Sequence, residues 1–256
     1  MARSWHTGRV AVPPDYDDDP ERFRLGSRIT ERHLSAPSLY EHLATRLTGR
    51  STIVDIGCGE GALAAALAAA TPAALPLLAR VSPGPAEALG SAPRRLVGVD
   101  ASATMLGAHP RPVVQAEAAR LPFAADVFDA ALAINMLYHL DDPMPALREA
   151  RRVLAPGGLF VASAIARDDS PELAAVWRRE PTPFDAEEAQ DLVASVFGTV
   201  EVERWDAALI TLPDRDAVRD YLIARQVPRP AAVDAAAQIT TPLPVTKRGA
   251  LIFACR

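Results

Sequence analysis

The 256-residue chain is 49% hydrophobic and 23% charged, with a net charge of −5, which suits one domain with a core and argues against a partner nucleic acid held by a basic face. No apolar run approaches the roughly 18 residues of a membrane span, and Cys58 and Cys255 show neither metal-ligand spacing nor a disulfide framework. These features predict a cytoplasmic protein that uses no metal and does not enter a membrane, and they leave monomer and homodimer both open.

Residues 1 to about 20 read as irregular, with Pro13, Pro14 and Pro20 around an acidic cluster and no apolar core of a signal peptide. Two helical patterns follow, one through Phe23, Leu25 and Ile29 and one through Leu39, Leu43 and Leu47. Thr52 to Ile56 is a β-favouring run that enters glycines at 57, 59 and 61, and Ala62 to Ala70 then reads as a helix. A buried strand, a tight glycine turn and a helix start make a small-molecule site, because the backbone can approach a ligand where a Cβ would collide. The free N–H groups of the helix's first turn face the same ligand.

Five prolines between Thr71 and Arg95 cannot sustain a long helix, so this stretch reads as an insertion, with a short helix around Leu75 to Arg80. Leu96 to Val99 is a strand ending at Asp100, followed by a helix from Ala103 to Ala108 and a strand from Val113 to Gln115. Phe128 to Ile134 is a strand leading into Asn135, Met136, Leu137, Tyr138, His139 and Leu140. Met144 to Leu154 is an amphipathic helix, and Leu159 to Ala164 a fifth strand. Strand–helix alternation of this kind predicts an α/β fold with a parallel sheet covered on both faces. Asp55, Asp100, Glu117 and Asn135 then fall at the carboxyl ends of strands, where such sheets bind ligands.

The last 90 or so residues read as helices from Glu172 to Arg179 and Ala186 to Val196, a strand from Thr199 to Trp205, a helix from Asp214 to Arg225 and a strand from Gly249 to Cys255. The two late strands, read without a clear helix directly joining them, would pair as an antiparallel edge. Trp177, Phe184 and Trp205 read as core.

Five blocks in order resemble the class I S-adenosylmethionine-dependent methyltransferases, in their small-molecule branch. They are VDIGCGEG from Val54, VGVDAS from Val97, AEAARLPF from Ala116, VFDAALAINMLYHLDD from Val127 and REARRVLAPGGLFV from Arg148. The resemblance implies a doubly wound, Rossmann-like, mostly parallel seven-stranded sheet with an antiparallel edge strand. It also implies a helical lid over residues 1–48, a cofactor-binding core over 49–165 and a substrate-shaping part over 166–256 within one domain. The cofactor implied is S-adenosyl-L-methionine, the product S-adenosyl-L-homocysteine, and the partner a small-molecule methyl acceptor methylated on oxygen or nitrogen.

Residue by residue, Asp55 would meet the ammonium side of the methionyl group, and Gly57, Cys58 and Gly59 would form the turn against it. Asp100 would accept from both ribose hydroxyls, and Ala101 and Met105 would flank the adenine. Ala116, Glu117 and Ala118 would line its amino edge, and Asn135 would lie beside the sulfonium. Arg28 would reach the cofactor carboxylate from the lid. His139 is the candidate general base, with Tyr16 and Tyr138 beside the acceptor and Phe23 and Tyr40 in the lid. Two other readings stay open. Gly57, Gly59 and Ala62 also fit a nicotinamide fingerprint, and Asp100 stands nearly twice the usual roughly 20 residues beyond the glycines; a non-catalytic cofactor-binding relative would show the same residues.

Overall fold

A computed structural model describes residues 14–70 and 95–256. The insertion at residues 71–94, with its expected short helix, lies outside the described residues. Seven strands form one sheet in the order β3-β2-β1-β4-β5-β7-β6. They are β1 (Thr52–Ile56), β2 (Arg95–Asp100), β3 (Val113–Gln115), β4 (Phe128–Ala133), β5 (Leu154–Ile165), β6 (Val200–Leu212) and β7 (Leu243–Cys255). β1 to β5 pair in parallel, and β7 runs antiparallel to both β5 and β6. The direction of winding reverses between β1 and β4, which opens a crevice at their carboxyl ends.

The helices are α1 (Pro14–Asp18), α2 (Pro20–His33), α3 (Leu39–Arg46), α4 (Ala62–Ala70), α5 (Ala103–Ala108), α6 (Met144–Val153), α7 (Ala189–Phe197), α8 (Arg215–Ala224) and α9 (Arg229–Gln238). Alternating side chains of β1 send Ile53 and Val54 to opposite faces of the sheet. Ile53 joins Leu43, Leu47, Leu63 and Leu67 under α3 and α4. Val54 joins Leu147, Ala150, Phe160 and Val193 under α6 and α7. A third cluster, with Ile29, Val218, Tyr221 and Leu222, ties α2 and α8 to the far ends of β6 and β7. No helix among the described residues is long and apolar enough to cross a membrane.

Several helix starts are written in the sequence as caps. The Asp19 carboxylate accepts from the Arg22 N–H at 3.1 Å, Ser38 and Glu41 form a reciprocal capping box, and the Asp214 carboxylate accepts from Ala217 N–H at 2.9 Å. Four expectations need correction. The segment before residue 20 is not wholly irregular, because α1 forms just ahead of the Asp19 cap. Glu172 to Arg179 is not a helix: a 3₁₀ turn at Pro171–Leu173 gives way to a turn over Ala174–Val176 and then irregular chain, where Pro181 disfavours helical backbone at Glu180 and Arg179 is bound to Asp185. α9 was not foreseen, and with α8 it lies between β6 and β7, which nevertheless pair directly. Both late strands are 13 residues long, well beyond the seven predicted for each.

Candidate functional site

The glycine turn is fastened to the end of β2. The N–H groups of Gly57 and Cys58 both donate to the Val99 carbonyl, at 2.7 and 3.0 Å, and the Gly59 N–H donates to the Asp100 carboxylate at 2.8 Å. Gly57 and Gly59 have φ of 69° and 55°, the left-handed region that glycine enters without steric cost. A Cβ on Gly57 would sit 2.5 Å from that of Met136, whereas one on Gly59 would meet only the Phe23 ring, at 4.0 Å. The turn thus packs tightly on its inner side and leaves a shallow space beneath the helix α2.

Asp100 is held by its own surroundings as well. Its other carboxylate oxygen accepts from the Ser102 N–H at 2.9 Å, and its carbonyl accepts from the Ala116 N–H at 3.1 Å. This joins the ends of β2 and β3 and brings Ala101, Ala116 and Glu117 to one edge. Met105 is 2% exposed and Ala118 9%, both part of the floor rather than free surface. Burial raises the Asp100 pKa above the ordinary carboxylate value, against hydrogen bonds from Ser102 and Gly59 that lower it.

Asp55 differs in kind. It is 3% exposed at the foot of the turn, and no donor among the described residues bonds its carboxyl. Burial, and secondarily the Asp100 charge, push its pKa up to about 8. A buried acid without a donor is costly unless a cation arrives to meet it. The ammonium of S-adenosylmethionine is such a cation, and the glycine cradle leaves room for the chain that carries it. On this test the residues fit the cofactor.

Asn135 follows β4 with φ of 54°, unusual for a residue with a side chain. Ser163 on β5, 1% exposed, holds it there: its hydroxyl accepts from the Asn135 N–H at 2.7 Å and donates to the Asn135 side-chain oxygen at 3.0 Å. Tyr40 from α3 also hydrogen-bonds Asn135, and burial beside Asp55 raises its pKa. Next in the chain, the His139 Nε2 lies 2.6 Å from the Tyr16 hydroxyl of α1. Phe23 and Tyr138 complete an aromatic group around them, with ring centroids 5.4 Å from Tyr16 and 4.3 Å from His139.

The structure therefore brings together Asp55, Gly57, Cys58, Gly59, Asp100, Ala101, Asn135, His139, Tyr16 and Tyr138. Arg28 stays apart, 60% exposed on α2 and 3.9 Å from Glu21. Instead Arg24 crosses from α2 to the glycine turn, 2.7 Å from Glu60. The Cys58 thiol is buried and its pKa is raised, so it fills the turn as a small apolar group. Sequence reading missed Ser102, Ser163 and Glu60. Ser163 had a signal: it is a lone polar residue in the apolar end of β5, beside the strand that delivers Asn135.

A family model described as a methyltransferase domain matches residues 81–162. A (+)-O-methylkolavelool synthase from Herpetosiphon aurantiacus is 30% identical over 141 residues, which cover 52% of this chain and 45% of that protein. A demethylmenaquinone methyltransferase from Lactiplantibacillus plantarum is 28% identical over 179 residues, 65% of each chain. The chain thus spans about half to two thirds of the length of these curated relatives. Among solved structures, an S-adenosylmethionine-dependent methyltransferase from Thermotoga maritima superposes with a TM-score of 0.56 at 18% identity, over 94% of this chain and 97% of that one, a likeness of fold. With the ordered blocks, the sheet order and the glycine turn tied to Asp100, these matches support a class I S-adenosylmethionine-dependent methyltransferase.

Proposed function

We propose that this protein transfers a methyl group from S-adenosylmethionine to an oxygen or nitrogen atom of a small organic acceptor. The observation that carries this reading is the buried, donorless Asp55 carboxyl beneath the glycine turn at the β1/β4 crevice. The two relatives are named for an O-methyl product and for demethylmenaquinone, both small organic molecules, which supports an acceptor of that size.

When bound, the cofactor supplies an electrophilic methyl group on a sulfonium. In this reading Asp55 meets its ammonium, Asp100 its ribose hydroxyls, and Ala101, Met105, Ala116, Glu117 and Ala118 its adenine. Asn135, fixed by Ser163, faces the methionyl side. The helices α1 to α3 serve as a lid, with Phe23 over Gly59 and Arg24 on Glu60 keeping water out. His139 takes the proton from the acceptor's hydroxyl or amine, and the Tyr16 hydroxyl at its Nε2 supports a hydroxyl fitting there. Tyr138 lines the acceptor side.

Calorimetric titration with S-adenosylhomocysteine, followed by mass-spectrometric turnover against a panel of phenols, alcohols, amines and acids, tests this. Micromolar binding with methylated product supports the proposal. Binding of a nicotinamide cofactor instead, or tight cofactor binding with no methyl transfer across the panel, overturns it.

A further inference from the structure

The last turn of α8 carries a buried polar group with nothing to bond. Tyr221 is 0% exposed, yet its hydroxyl has no hydrogen-bond partner among the described residues. Arg225, one helical turn on, lays its guanidinium 3.3 Å from the centroid of the Tyr221 ring and 5.4 Å from that of Trp177. Its hydrogen bond goes to the Tyr221 carbonyl, at 3.1 Å, and among the described residues it pairs with no carboxylate.

The charges nearby leave a surplus cation. Asp169 is the acid that Arg225 feels, but its two oxygens are already engaged by Lys247, by the Ser170 hydroxyl and by the Arg248 N–H. The Arg248 side chain is neutralised separately, by Asp168 and Asp206. Arg225 and Lys247 thus share one carboxylate. A half-buried guanidinium with only a carbonyl acceptor and a buried hydroxyl with no partner among the described residues are expensive to keep, and their shared complement is a carboxylate.

Two strings of contacts run from this cluster toward the acceptor side of the site. The Arg22 side chain donates to the Ala224 carbonyl at 2.8 Å and Gly26 packs on Ala224, while Phe23 on the same helix covers Gly59. From the other side, Trp177 approaches Arg225, and Arg179, two residues further along the chain, lies 5.3 Å from the centroid of Tyr138 beside His139. We propose that Arg225 and the Tyr221 hydroxyl bind a carboxylate of the methyl acceptor, making the acceptor an organic acid whose reacting atom is directed to His139. The proposal rests on the methyl-acceptor reading above and narrows it. Donors short of an acceptor also give specificity, since a neutral analogue leaves the cation without a counter-charge.

The test is calorimetric binding of salicylate, ferulate and decanoate, each against its methyl ester, to the full chain with and without S-adenosylhomocysteine. At least one acid should bind about tenfold or more tighter than its ester, as charged hydrogen bonds allow. Arg225→Gln should erase that preference while leaving S-adenosylhomocysteine affinity within about twofold. Tyr221→Phe should weaken acid binding about fivefold without lowering Tm, because the hydroxyl has no bond to lose in the free protein. A purely structural Tyr221–Arg225 pair would show no acid preference at all. Equal binding of acids and esters, or a preference surviving in Arg225→Gln, overturns the proposal. So does a parallel loss of S-adenosylhomocysteine affinity, which would assign Arg225 to the cofactor's own carboxylate. Failure of the wild type to bind S-adenosylhomocysteine would contradict the cofactor reading separately, because the acid preference is also measured without it.

Discussion

The Tyr16 hydroxyl meets His139 Nε2 at 2.6 Å, so a helix at one end of the chain touches the loop that follows β4. With Nε2 unprotonated, as a base requires, the phenol donates to it and occupies the place of an acceptor hydroxyl. His139→Ala should lower kcat by about 10²-fold or more without weakening cofactor binding. Tyr16→Phe removes the phenol from Nε2, and KM for the acceptor should fall about fivefold with kcat held. Steady-state kinetics check both; full activity in His139→Ala would leave that histidine a packing role.

The Asp55 carboxyl makes binding pH-dependent. Its pKa of about 8 in the fold lies above the ordinary 3.8, so the folded protein keeps a proton that the unfolded chain releases. Stability of the ligand-free protein should therefore fall as pH rises from about 4 to about 8, and level off above that. Cofactor binding requires the ionised form and expels the proton, so affinity should rise with pH, approaching about tenfold per unit below pH 8. Calorimetry of S-adenosylhomocysteine binding in buffers of different ionisation enthalpy measures the proton release. Asp55→Asn should abolish it, and also removes any confusion with titration of the ligand itself.

Ser163 holds Asn135 by two hydrogen bonds, at 2.7 and 3.0 Å, in a backbone conformation that disfavours side chains. Ser163→Ala should cost about 1–3 kcal/mol in urea unfolding, the range for stranding a buried polar group, and should weaken cofactor binding as well. Asn135→Gly separates the two effects: it relieves the strained φ, so stability should hold while binding falls.

Arg24 bridges Glu21 and Glu60 and joins α2 to the glycine turn. Its ion pairs are open to solvent and screened, so Arg24→Ala should leave stability almost unchanged. Its effect should instead be kinetic, with cofactor dissociation several times faster in stopped flow. An unchanged rate would mean that the bridge plays no part in retaining the ligand.

Much of the nucleotide side was legible because its signals are local. The limits of α4 and α5 follow from alanine runs stopped by proline and from the Ser102 cap, and Asp55, Asp100 and Asn135 mark strand ends in a repeating β/α pattern. The acceptor side was less legible. α9 has alanines on every face and no apolar stripe to announce it. The helix expected at Glu172 to Arg179 yields to Pro181 and to the Arg179–Asp185 pair, a contact invisible without the fold. Ser163, Tyr221 and Arg225 acquire meaning only through neighbours distant in sequence.

The central claim is that the turn fastened to Asp100 holds S-adenosylmethionine, and calorimetry of S-adenosylhomocysteine with wild type and Asp100→Ala tests it most directly. The Gly59 N–H and the ribose hydroxyls would both lose a charged acceptor, so the variant should bind about 30-fold more weakly or worse, a loss of about 2 kcal/mol, while remaining folded. Unchanged affinity in a folded variant, or no binding by the wild type, would contradict the account.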